Sequence, residues 1–116
     1  MLALARGSRA DRKLREWLRE GHELSISAIA WAEFLCGPVT RAAVALTGRV
    51  VGEPAAFTAQ DATLSARLFD ETGRRRGSLA DCMIAASAIA AGATLATANE
   101  PDFARFRAAG LELAGA

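Results

Sequence analysis

Short apolar runs that alternate with longer helical stretches predict an α/β domain built on a mostly parallel sheet. Three observations carry that reading. Residues 23–27 (Glu-Leu-Ser-Ile-Ser) alternate apolar and small polar side chains and lead straight into a helical stretch. Residues 78–91 are apolar on nearly all sides, the pattern of a buried helix. Residues 93–97 and Leu111-Glu112-Leu113 then read as two further strands with a short helix between them. At 116 residues and 12.1 kDa, the chain has the length of a single domain covering 1–116.

In chain order, a helix starting at Ser8 or Ala10 and running to Glu20 places Leu14, Trp17 and Leu18 among charged neighbours and ends at Gly21. Strand 23–27 follows, and Ser27 is the expected N-cap of a helix over 28–36 that Gly37-Pro38 stops. A further helix is expected over 39–46, with Arg49-Val50-Val51 as a brief extended piece. Thr58-Ala59-Gln60-Asp61 has the form of a capping box opening a helix that carries Leu64, Leu68 and Phe69 to Gly73. After the loop Arg74-Arg75-Arg76-Gly77, Ser78 opens the buried helix, which Gly92 closes; Asn99-Glu100-Pro101-Asp102 then starts a short helix reaching Ala108.

Composition limits the chemistry. Apolar residues are 52% and charged residues 23%, and 14 basic residues against 13 acidic ones leave a net charge of +1. No global field steers the protein onto nucleic acid, so any such contact is local. The 28 alanines raise the apolar fraction with side chains that each bury little area. Cys36 and Cys82 are far apart and form no C-x-x-C pair, so both read as buried free thiols. His22, the only histidine, lies at a polar helix end; Cys/His zinc sites and Ser-His-Asp catalysis are excluded unless it serves. No membrane-length apolar run or signal peptide is evident, which predicts a cytoplasmic protein. Carboxylates remain as the catalytic candidates.

Three stand out. Glu33 is enclosed by Ile29, Ala30, Trp31, Ala32, Phe34 and Leu35, a setting that predicts a cation beside it or an ordinary helix-surface pairing with an arginine. Asp81 starts the buried helix, either completing a Ser78-x-x-Asp81 capping box or pointing out of the sheet's end toward a ligand. Asp102 lies in Thr97-Ala98-Asn99-Glu100-Pro101-Asp102, just after a strand, where helix initiation is the plainer role. A parallel sheet gathers the C-terminal ends of its strands along one edge, where the segment after residues 93–97 converges and toward which Glu33, on the helix after Ile26, can lean. Such an oxygen-only set suits Mg2+ or Mn2+.

The segments 25–34, 81–88 and 92–103, with Gly110-Leu111, resemble a PIN domain, and within that family the VapC-type toxin ribonucleases. The likeness covers nearly the whole chain in the family's order. It implies a three-layer α/β/α fold, cleavage of RNA with Mg2+ or Mn2+ held by acidic side chains, a homodimer, and silencing by a cognate VapB-like antitoxin. Residue by residue it makes Glu33, Asp81 and Asp102 the catalytic and metal-holding acids. Thr97 and Asn99 orient water or substrate, Asn99 standing where many members have Asp. Apart from the resemblance, Arg74, Arg75 and Arg76, beside Asp81 in sequence, read either as a solvated loop or as holders of flanking phosphates.

One departure is plain. Family members begin with a hydrophobic strand ending in Asp-Thr-Asn or Asp-Thr-Ser, whose Asp is a primary metal ligand. Here Met1-Leu2-Ala3-Leu4-Ala5 resembles the helix just after that motif, and Asp11 lies in the first helix. The expectation is a domain truncated at its N-terminus, without its central strand and that Asp, either because the start is placed too far downstream or because the product is inactive. Two alternative functions follow: an inactive PIN remnant that acts as a protein-binding module, and a PIN-like nuclease of RNA processing.

Overall fold

The computed structural model describes residues 1–5, 16–76, 78–97 and 99–114. Its strands are β1 (Leu2–Leu4), β2 (Leu24–Ile26), β3 (Thr94–Ala96) and β4 (Glu112–Leu113), joined in one sheet in the order β2-β1-β3-β4. Every pairing is parallel, with Leu2 opposite both Leu24 and Thr94 and Leu4 opposite both Ile26 and Ala96. The α/β class read from the sequence is the class observed.

The centre of that sheet corrects the sequence reading. Leu2-Ala3-Leu4 is not helical, and the central strand is not missing: these three residues form it, all of them buried. The reason lies in the backbone. β2 and β3 each present a row of N–H and C=O groups toward the other, and buried groups of that kind need partners. The run 1–5 supplies a strand apolar on both faces, as the interior of a parallel sheet requires. The ladder continues past its ends, from Leu2 N–H to Glu23 O (2.9 Å), Thr94 N–H to Met1 O (3.0 Å) and Ala5 N–H to Ala96 O (3.1 Å). Beyond β2, Ala55 bridges Ser27 in parallel and widens the sheet by one contact.

The helices are α1 (Ala28–Cys36), α2 (Arg41–Val51), α3 (Ala59–Glu71), α4 (Leu79–Ala91) and α5 (Glu100–Phe103), the last running on as a 3₁₀ turn over Ala104–Ala109. Ser27 caps α1 by accepting from Ala30 N–H at 3.1 Å, as its position predicts. The capping box of α3 forms in both directions between Thr58 and Asp61, each bond 3.1 Å. α2 departs from expectation: Thr40 caps it, and it continues through Arg49, Val50 and Val51 rather than breaking into an extended piece. Val51 is buried and Val50 packs on the core, so helical continuation buries apolar area that an extended strand would expose. Gly52, with φ 68°, then ends the helix in a conformation that costs other residues more.

Cys82, Ile84, Ala85, Ala86, Ser87 and Ala88 of α4 are buried, which accounts for its all-round apolar sequence, and α3 packs along it. Cys82 is the buried free thiol expected, whereas Cys36 is exposed, because the last turn of α1 runs out past the core together with Leu35 and Gly37. Most of the expected first helix, with Leu14 and Asp11, lies outside the described residues. Residues 16–19 are helical, Trp17 is buried and Gly21 follows with φ 84°. At one edge of the sheet, Ala5, Ser27 and Thr97 mark the C-terminal ends of β1, β2 and β3, and α1 and α5 begin directly beyond two of them.

Candidate active site

Three chain segments converge at that edge. Capping by Ser27 sets the first turn of α1, so Glu33 is carried up the helix by about 1.5 Å per residue. It is half-buried, its Oε1 is fully covered, and it lines a small pocket with Ala5, Asp81, Ile84, Asn99 and Phe103. Asp81 enters the same pocket from the first turn of α4, where the helix dipole favours a negative charge. The capping box proposed for this helix is not what Ser78 makes. Its hydroxyl donates backward to Arg75 O at 2.6 Å and gives no side-chain cap to α4.

Asn99 comes from the β3–α5 connection. It occupies the N-cap position of α5 without making a side-chain cap, and it lines the pocket. Thr97 sets that turn, its Oγ1 accepting from Asn99 N–H at 3.0 Å. Ala5, directly after β1, lines the same pocket.

Asp102 is not brought to the pocket. It is exposed on α5, its N–H donating to Asn99 O at 3.0 Å, while the adjacent Phe103 is buried. Among the described residues no three acidic, His or Cys side chains gather in one metal-holding group. Arg75 and Arg76 are exposed on the connection into α4. Beside them Arg74 pairs with Asp70 and lies over the Phe69 ring.

An arginine without an expected role lies beside the pocket, next to Asp81. Arg105, on the 3₁₀ turn, has Nη2 3.7 Å from Asp81 Oδ2, and both side chains are only 16% exposed. Its guanidinium lies 4.7 Å from the centroid of the Phe106 ring, which is fully buried. The demand for a cation near the carboxylates was the available signal; nothing in the spacing picks Arg105 from among the chain's arginines.

Two carboxylates and an amide oxygen, without thiolate or imidazole, form a hard donor set of the kind that holds Mg2+ through one or two carboxylates with the remaining positions left to water and substrate. The donor chemistry therefore fits a divalent cation, with Glu33 and Asp81 as charged ligands and Asn99 as a neutral one.

A family model described as the PIN domain matches residues 1–109. The chain belongs to the PIN domain family. Solved structures of similar fold agree. A chain of VapBC2 from Rickettsia felis, bound to a DNA fragment from its promoter, is 23% identical with a TM-score of 0.71, covering 97% of each chain. A chain of VapBC-1 from nontypeable Haemophilus influenzae is 21% identical with a TM-score of 0.70, covering 97% of this chain and 96% of that one. A chain of FitAcB from Neisseria gonorrhoeae is 20% identical with a TM-score of 0.67, over the same shares. No curated protein matches the sequence. In this PIN domain the pocket at the C-terminal edge of the sheet holds Glu33 and Asp81 as its acids, Asn99 as its neutral polar group and Ala5 at the end of the central strand.

Proposed function

We propose that this PIN domain is a divalent-metal-dependent endoribonuclease of the VapC toxin type, dimeric, cytoplasmic and silenced by a VapB-like antitoxin. The observation that carries the reading is the convergence of Glu33, Asp81 and Asn99 in one pocket at the strand ends. Membership of the PIN family and the likeness to chains from VapBC and FitAB structures support it. Among the described residues no helix is long and apolar enough to cross a membrane.

A cation held there, Mg2+ or Mn2+, supplies Lewis-acid stabilisation of phosphoryl oxygens and lowers the pKa of water. The chain's own residues do the rest. Asp81 and Glu33 provide the negative charge that retains the cation, Asn99 adds a neutral oxygen, and Thr97 fixes the turn that presents Asn99. Arg75 and Arg76, exposed before α4, are placed to meet flanking phosphates. Asp102, exposed and outside the pocket, has the smallest part.

The test is cleavage of structured RNA with Mg2+, with Mn2+ and with EDTA. Asp81→Asn is expected to reduce the rate at least 100-fold and EDTA to abolish it, while Asp102→Asn costs less than tenfold. Cleavage that survives both EDTA and Asp81→Asn overturns the reading.

A second reading, an inactive PIN remnant that binds a protein partner, is favoured by Ala5, a methyl group where the family pattern has a primary acidic ligand. Capture of the antitoxin with no cleavage under any metal condition selects it.

A further inference from the structure

We propose that Arg105 is a ligand for the phosphate of a bound polynucleotide, held beside Asp81 until that anion arrives. The proposal rests on the nuclease reading above and adds a residue and a role to it. The guanidinium is largely buried, yet its Nε and Nη2 donate no hydrogen bond among the described residues. Leaving charged donors undonated in the interior is costly, so such an arrangement calls for an anion.

The two idle groups lie on the same edge of a planar fork, and their N–H bonds run side by side. That edge matches two oxygens of a phosphate. Asp81 does not use it up: at 3.7 Å its Oδ2 attracts Nη2 but lies beyond hydrogen-bond range. The face of the fork rests on the buried Phe106 ring, which holds its plane in place.

Arg75 and Arg76, by contrast, are exposed and meet any phosphate in full competition with water and salt.

The test measures binding of a labelled single-stranded RNA by fluorescence anisotropy in Ca2+, with the RNA checked for integrity, across a range of salt. Wild type is compared with Arg105→Gln, Arg105→Lys and, as a control for lost charge, Arg67→Gln on α3. Arg105→Gln is expected to weaken binding about tenfold and to lower the salt slope by about 0.7, the value for one single-strand phosphate contact. Arg105→Lys is expected to keep the slope and lose several-fold in affinity, because it keeps the charge without the fork. A role confined to folding would change the melting temperature and leave the slope alone. If Arg105→Gln is unfolded at the assay temperature, Arg105→Lys decides, unchanged affinity overturning the proposal. Wild-type binding with Arg105→Gln superimposed on it overturns the proposal while leaving the nuclease reading intact. Wild type that binds no RNA overturns both.

Discussion

Ala5 is the pocket residue at which the proposed metal site is most directly tested. It follows the central strand and lines the pocket with Glu33 and Asp81, so a carboxylate there would add a third anionic oxygen group to the pocket. Without a cation, three like charges in a largely buried pocket repel one another and resist desolvation. Ala5→Asp is therefore expected to melt several degrees below wild type in EDTA. In saturating Mn2+ it should recover more than wild type does, because ligand binding to the native state adds RT ln(1 + [L]/Kd). Paired thermal melts with and without Mn2+ check this, and equal Mn2+ shifts for the two proteins would exclude the pocket as the cation's place. At this scale Glu33 and Asn99 could be placed from the sequence because each lies on a segment that follows a strand, and Asp81 because it opens the buried helix. Arg105 could not: its importance comes from a 3₁₀ turn folding back on α4, and local sequence does not encode that approach.

Among the elements, α4 joins the site to the core. Asp81 faces the pocket from its first turn, and the next residue, Cys82, is fully buried. Burial pushes the Cys82 thiol above its ordinary range, with the hydrogen bond to Ser78 and the charge of Arg105 opposing the rise. Cys36, exposed at the end of α1, has no such protection. Native protein treated with a thiol-reactive dye at pH 8 is expected to modify one cysteine quickly and the second only on unfolding, with peptide mapping placing the fast site at Cys36. The sign for stability follows from linkage. A thiol whose pKa is raised by folding contributes fully below the unfolded value, about 8.5, and that contribution is lost as pH rises through the folded value. Stability should fall in alkali, less steeply in Cys82→Ala. Helix boundaries were readable where a cap and a glycine frame them, as for α1 and α3, and α4 keeps its expected bounds although Ser78 makes no side-chain cap. The end of α2 was misread because Val50 and Val51 favour strands in isolation, whereas packing against the core decides the outcome.

For the whole molecule, the parallel α/β plan was legible from the alternation of strand and helix, while the middle of the sheet was not. Leu-Ala-Leu is too short for its periodicity to distinguish a strand from a helical turn. Its neighbours decide, and they lie at Leu24–Ile26 and Thr94–Ala96. The plan also leaves a packing defect. Small side chains on both sides of the sheet–α4 interface, among them Ala3, Ser25, Ser87 and Ala88, line a cavity of about 80 Å³. Ala3→Val adds two carbons at a strand position that suits a β-branched side chain, and is expected to stabilise the fold by about 1 kcal/mol. That corresponds to about 4 °C in melting temperature for a domain of this size; an unchanged or lower value would mean that the cavity walls do not yield.

The position of β1 also orders events in time. A strand at residues 2–4 that pairs on one side with residues 94–96 cannot complete its ladder until that later segment has been made. Until that late segment leaves the ribosome, one edge of Leu2–Leu4 is open and apolar, and available to any other strand that meets it. The pocket depends on the same closure, since Ala5 takes its place only when its N–H bonds to Ala96 O. A nascent copy that still lacks residues 94–96 therefore has no assembled pocket.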